Sequence, residues 1–357
     1  MPTVTTDNAA FAAVLERIAE SSKSTDAAAE NLREVLQGIV AAGGARAGLA
    51  ASEQPIGEQA KQIAALGERC LASAFVTWSH RMTSEYVDRW GSESLRAEFL
   101  PQLLSGERIG STALATALAD KSGKELLPIT FEREGDDYLI SGVIPWASNL
   151  YSDTLAVFAA RNESTDERAV FAATLDQAGI EVKPAGELLA LNATASGTVK
   201  FSGLRLTANN LLTLDIDNFL GQMRPRFLVL QTAFCLGLIK ASLSAIAGAP
   251  SAAPFAADIA QYQAEAAEIE QTLDALSNDL AVYPAPGNGF APLAFLQLRL
   301  SAAQLAQAVT RVELASIGGR GYFKASDTSR RIRESLFLSV QAPTEGSLRW
   351  EISQLAL

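Results

Sequence analysis

The chain reads as an α+β multidomain protein: an N-terminal helical domain over residues 1–109, a middle antiparallel β-barrel or sandwich domain over 110–212, and a C-terminal four-helix bundle over 213–357. Three observations predict this. Apolar residues recur at helical spacing in the first hundred or so positions, short apolar runs separated by turn clusters follow, and helical periodicity returns after Leu212. A chain of 357 residues is long enough for two or three cores.

In the first region Phe11, Val14, Leu15 and Ile18 share a helical face. Ser24-Thr25-Asp26 then supplies N-cap chemistry for a segment carrying Leu32, Val35, Leu36 and Ile39. Gly43-Gly44-Ala45-Arg46-Ala47-Gly48 follows a helix rather than a strand, so it reads as a helix stop and not as a dinucleotide fingerprint. Ile63, Leu66 and Cys70 begin another helix, and Ser92 to Leu104 forms a shorter one, broken by Pro101.

The middle region places apolar runs at 155–160 and 169–174 between turn clusters such as Glu134-Gly135-Asp136, and completes them with Val199, Phe201, Leu204 and Leu206. Beyond it, 227–247 is apolar on nearly all sides, as a helix buried in a bundle should be. Ile259, Tyr262, Ala266, Ile269, Leu273, Leu276 and Leu280 step by three and four, a packing seam. These two features suggest an oligomer. A Pro- and Gly-rich break at 284–289 precedes a helix opening at Pro292, with Leu293, Leu296, Leu300 and Ala303 on one face.

The net charge of −11 argues against a nucleic-acid binder, which needs clustered Lys and Arg to release counterions. The N-terminus lacks a basic head followed by an apolar run, and the window 227–239 is shorter than the roughly 20 residues a bilayer requires. No membrane span is therefore expected. Cys70 and Cys235 sit in apolar helical patterns and read as reduced core thiols, which points to the cytoplasm.

His80 is the only histidine, so a multi-histidine metal site is excluded, and its helical surroundings read as those of an ordinary packed or exposed side chain. Lys121-Ser122 lacks the upstream glycines of a phosphate loop. The more informative stretch is Asp136 to Asn149. It runs as a short β segment, turns at Ser141-Gly142, and ends in Trp146-Ala147-Ser148-Asn149, a flat ring beside small polar groups that can face a planar cofactor. Gly318-Gly319-Arg320-Gly321-Tyr322 either caps a helix or brings backbone N–H groups to a pyrophosphate. Arg330, Arg331 and Arg333 read as partners for carboxylates at a surface or interface.

The order of these features resembles the acyl-CoA dehydrogenase family. The stretch from Gly91 to Glu107 is similar to the family's Gly-x-Glu, Tyr-Leu-Pro and Leu-x-Ser-Gly-Glu, and Gly135 to Gly142 resembles the strand that leads to its flavin-facing Trp-x-Thr/Ser. Residues 317–322 and the Arg-rich helix after them match in order. The resemblance implies FAD as cofactor, with FMN an alternative, and sets Trp146 and Ser148 against the flavin ring. It implies Thr116 as the threonine of the family's cofactor loop, Ser122 as the serine near the thioester, and Gly318, Gly319 and Gly321 beside the pyrophosphate. Pro343 to Ser347 resembles the family's Glu-Gly-Thr segment, which makes Glu345 the catalytic base and Ser347 a cofactor contact; Arg226 resembles the arginine near the substrate.

The implied reaction is removal of the α-proton of an acyl thioester by a carboxylate while hydride leaves the β-carbon. An acyl-CoA substrate, an electron-transfer flavoprotein as partner, and a homodimer or homotetramer follow from the same resemblance. The chain departs from the pattern at Ala117-Leu118, where the family has Glu-Pro, and at 249–254, where its Arg-x-x-Phe-Gly is missing. Two further readings stay open: a flavin-dependent monooxygenase of the same fold, which needs no carboxylate base, and a non-catalytic relative.

Overall fold

The structure is a computed structural model that describes residues 8–28, 32–50, 52–280 and 289–356. Helices α1 (Asn8–Asp26), α2 (Leu32–Ala41), α3 (Ile56–Arg69), α4 (Leu71–Trp90) and α5 (Glu93–Ser105) come first. They are followed by β1 (Gly110–Ala113), the short helix α6 (Ala115–Lys121), β2 (Ile129–Glu134), β3 (Asp137–Ala147), β4 (Leu155–Arg161), β5 (Arg168–Thr174), β6 (Ile180–Pro184), β7 (Gly197–Leu206) and β8 (Leu211–Thr213). The chain ends in α7 (Ile216–Ala247), α8 (Ala256–Asn278), α9 (Leu293–Ile317), α10 (Asp327–Val340) and α11 (Glu345–Leu355). The order of helices, strands and helices is the one the sequence pattern predicts. The Pro- and Gly-rich break at 284–288 lies outside the described residues.

Two local expectations change. Helix α5 runs through Pro101 to Ser105 instead of breaking there. Pro101 is exposed, and so is Ala97, whose carbonyl it cannot bond, so water can take the lost bond. Ser92 caps the helix by accepting from Leu95 N–H, and Gly106 closes it at φ 79°. The sheet is mixed, not wholly antiparallel: its order is β6-β7-β3-β2-β4-β5-β8, with β1 added in parallel on β4 and a parallel bridge between β2 and β4.

Strands β4 and β5 explain their own composition. Leu155, Val157, Ala159, Val170 and Ala172 join the helical core, while Ala156, Phe158, Ala160 and Phe171 meet Phe131, Ile140 and Phe201 in a second core. Strands buried on both faces read as continuous apolar runs.

Helix α7 extends over 32 residues, beyond the apolar window seen in the sequence, and is long and apolar enough to cross a membrane by length and composition. It is the core helix of the bundle, packed on α3, α4 and α9. Glycines permit the closest crossing: a Cβ at Gly237 would stand 2.2 Å from Ala64 O, and one at Gly67 would stand 2.9 Å from Phe234 O. On α8, Ala266, Ile269, Leu273 and Leu276 are buried within the chain itself, so the apolar seam is already covered.

Helix α4 joins the helical region to the sheet. His80 Nδ1 accepts from Gly110 N–H at 3.0 Å while its Nε2 donates to Leu103 O at 3.1 Å, and burial pushes its pKa down to about 4. Thr112 N–H donates to Ser79 Oγ at 3.1 Å. The Asn149 side-chain amide donates to Val76 O and Gly110 O, both at 3.0 Å, which fixes the end of β3 against α4.

Candidate functional site

The tetrad 146–149 is shaped by an irregularity. Strand β3 loses register with β7 between Ile144 and Ala147, and such a bulge re-aims side chains. Pro145 and Trp146 consequently both face outward, and Trp146 is 57% exposed. Asn149 then takes φ 62°, turning the chain inward. Ser148 Oγ lies 2.7 Å from Ser196 Oγ, which lies 2.7 Å from Thr194 Oγ1, and that hydroxyl donates to Leu191 O at 2.7 Å. A free indole therefore stands at the head of a hydroxyl chain. Ser196 and Thr194 were not readable as site residues, because only the pairing of β7 with β3 brings them there.

Thr116 does not sit in a loop. It lies in α6, 7% exposed, and its Oγ1 is buried without a hydrogen-bond partner among the described residues. Ser122 ends that helix and donates to Ala119 O at 2.9 Å, so its hydroxyl is spent locally. The C-terminal side of α6 meets the start of α11 where Lys124 Nζ donates to Thr344 Oγ1 at 3.0 Å. Thr344 is the N-cap of α11, accepting from Ser347 N–H at 3.2 Å, and Ser347 Oγ is 3.1 Å from the same hydroxyl. Ser347 thus serves the cap.

Glu345 is brought near this junction, but its carboxylate is engaged elsewhere. Oε1 accepts from Arg349 Nε at 2.9 Å and Nη2 at 2.8 Å, and from Gln304 Nε2 at 3.2 Å. Hydrogen bonding to Arg349 holds its carboxyl below the usual range. A base working in an apolar tunnel needs the opposite shift.

The glycine turn is separate. It begins 14 residues after Gln304 on α9, a rise of about 21 Å along the helix. Gly318 takes φ 70°, and a Cβ on Gly318 or Gly319 would meet nothing within 4 Å, so their backbone is open to a ligand. Gly321 differs: a Cβ there would lie 2.9 Å from Thr328 Cγ2, which is a packing requirement. Tyr322, 81% exposed, borders a crevice of about 1280 Å³ with Lys324, Arg333 and the segment 185–189. That segment leaves β6 at Pro184, which pairs with Gly197, which pairs in turn with Ala147. One crevice wall therefore starts at the strand end that carries Trp146.

Arg226 packs inward, its Nε 3.2 Å from Glu85 Oε1. Glu85 is fully buried and also takes Arg81 Nη1 and Arg89 Nε, each at 2.8 Å. The spacing Arg81, Glu85, Arg89 was visible, but pairs four apart on a helix usually lie in solvent. Arg330, Arg331 and Arg333 have the carboxylate partners expected of them, in Glu334, Glu313 and Asp26. Among the described residues, no group of three or more His, Cys, Asp and Glu could hold a metal ion.

These features fit a flavin at its ring: the outward indole of Trp146, the Ser148 hydroxyl chain, and the orphaned Thr116 Oγ1. The open backbone of Gly318-Gly319 suits a pyrophosphate. No family model matches the chain. Over 270 residues it is 22% identical to the mitochondrial short-chain specific acyl-CoA dehydrogenase of Bos taurus, covering 72% of this chain and 65% of that protein. Butyryl-CoA dehydrogenase from Megasphaera elsdenii superposes with a TM-score of 0.85 at 13% identity over 100% of both chains.

The chain has the acyl-CoA dehydrogenase fold.

This fold also serves the prolyl acyl carrier protein oxidase AnaB, whose structure matches with a TM-score of 0.80 at 14% identity over 98% of this chain and 99% of the other. In this chain Trp146 is exposed near the end of β3, while Ser122, Ser347 and Glu345 are engaged in hydrogen bonds within the protein.

Proposed function

We propose that this protein is a flavin-dependent oxidoreductase that holds FAD against Trp146 and Ser148 and dehydrogenates an acyl group carried as a thioester. Two observations support the reading: the outward-turned indole of Trp146 and, on α6, the buried Thr116 hydroxyl left without a partner among the described residues. Bound FAD supplies a two-electron hydride acceptor. Trp146 offers a face for the ring, and the Ser148 and Thr116 hydroxyls offer hydrogen bonds to its edge. Glu345 takes a proton in this reading only when its pair with Arg349 opens. Electron-transfer flavoprotein as acceptor, and a homodimer or homotetramer, belong to the same proposal; the seam on α8 no longer argues for the oligomer, since it is buried within the chain.

The engagement of Glu345 favours a second reading, a flavin monooxygenase of the same fold, which requires no carboxylate base. The test is to load the purified chain with FAD and add acyl-CoA and acyl-carrier-protein thioesters without oxygen. Loss of the visible flavin absorbance supports dehydrogenation. Oxygen-dependent product formation without that loss supports the second reading, and a chain that takes up neither FAD nor FMN overturns both.

A further inference from the structure

Glu345 opens α11, and its carboxylate is held unevenly. Three N–H donors converge on Oε1: Arg349 Nε at 2.9 Å, Arg349 Nη2 at 2.8 Å and Gln304 Nε2 at 3.2 Å. Oε2 accepts no hydrogen bond from a described residue. One oxygen is pinned while the other stays open. Gln304 reaches the carboxylate from α9, so two helices anchor it. Lys124, also at the start of α11, donates instead to Thr344 Oγ1 at 3.0 Å.

The two anchors differ in how easily they let go. The Arg349 side chain is 57% exposed, and its bonds among the described residues are the two to Glu345. Leaving the carboxylate therefore puts the guanidinium into water without breaking a second protein contact, and an exposed ion pair four residues apart on a helix is weak. Gln304 is neutral and sits on another helix, so it keeps orienting the carboxylate after the guanidinium has gone. The closed pair has a chemical effect as well. Hydrogen bonding to Arg349 and the position in the first turn of α11 both favour the ionised carboxyl, which makes it a poor proton acceptor.

We propose that Arg349 is a latch on the base: closed, it fastens Glu345 through Oε1, and it swings into solvent to let the carboxylate take the α-proton while Gln304 keeps it in place. The proton passes from the α-carbon to Oε2, the oxygen without competing donors. Arg349 is thus a positioning residue that acts through Glu345. The latch rests on the reading of Glu345 as the base, but the pair itself is measured without flavin or thioester, so the two fail separately.

The test has two arms. In the first, the flavin-free full chain labelled with ¹³C at its glutamate carboxyls is titrated by NMR, and the Glu345 signal is the one missing from Glu345→Gln. Its midpoint should lie below the usual glutamate range, rise in Arg349→Met, and return towards the parent in Arg349→Lys, which keeps the charge. In the second arm, flavin bleaching by acyl thioesters is followed without oxygen across pH. Arg349→Met should bleach about threefold faster on the plateau, the scale of an exposed ion pair, and its acid limb should move to higher pH in step with the NMR midpoint, with Arg349→Lys between the two. Melting checks that the variants fold. An NMR midpoint unchanged in Arg349→Met overturns the latch and leaves the thioester reading standing. A moved midpoint with an unchanged rate and acid limb, or slower bleaching in Arg349→Met, also overturns it. Bleaching that persists in Glu345→Gln overturns the base and the latch together.

Discussion

Acidification tests the burial of His80, the only histidine in the chain. Its Nδ1 accepts the Gly110 N–H, so its proton sits on Nε2, and an imidazolium would lose that acceptor in a site without solvent. The pKa falls from 6.5 to about 4 on burial. The sign follows: the unfolded chain binds a proton as pH drops through 6.5, whereas the folded chain does not until about 4. Stability is fully present above 6.5 and is lost progressively towards 4. The gap of about 2.5 in pKa corresponds to about 3 kcal/mol. Urea unfolding of the parent and His80→Gln, from neutral pH to about pH 4, isolates this effect from the carboxylates, which titrate in both. The advantage of the parent should shrink by about 3 kcal/mol over that range. NMR of a histidine-labelled sample gives an independent reading, because there is one ring to follow. A titration midpoint near 6.5, or a stability difference constant with pH, refutes the reasoning.

Removing Glu85 as Glu85→Ala leaves three guanidiniums without a counter-charge and should cost about 3 to 5 kcal/mol in urea unfolding; a loss below about 1 kcal/mol would show that water already screens them. Thr116→Val deletes a hydroxyl with no protein partner, so the flavin-free chain should keep or gain stability while FAD binding, followed by fluorescence, weakens about tenfold. A destabilised flavin-free variant would instead reveal a partner within the protein. Glu345→Gln should lower substrate-dependent flavin bleaching about 100-fold or more if the carboxylate takes the proton once its pair with Arg349 opens, whereas bleaching within about twofold of the parent removes it as the base. Trp146→Ala should lower flavin affinity with little change in melting temperature, because the ring is already 57% exposed; unchanged affinity removes it from the site.

Much of the fold was legible because burial imposes periodicity on composition. The helical spacing of Phe11, Val14 and Ile18, the continuous runs of β4 and β5, and the Ala266–Leu276 seam each record the faces they bury. The site was legible only in part. Trp146 and Ser148 could be singled out as a ring beside a hydroxyl, but the bulge that turns the ring outward depends on pairing with β7, some fifty residues away. Ser122, Ser347 and Glu345 match a family pattern by type and order, yet each bonds a neighbour within four residues, and Glu345 bonds Gln304 as well. A linear pattern does not distinguish a cap or an i,i+4 ion pair from a catalytic group, because both use the same side chains.

By itself, the sequence determined what local physics controls: which segments become helix or strand, which faces are apolar, and that one histidine and two cysteines allow little metal or nucleophile chemistry. Tertiary structure alone decided which polar atoms remain free. Glu85 became the hub of three arginines only when α7 packed on α4, and Thr116 lost its partners only when α6 was buried beside the sheet. Free polar atoms are what a ligand can use, and they are set by contacts between residues far apart in the chain.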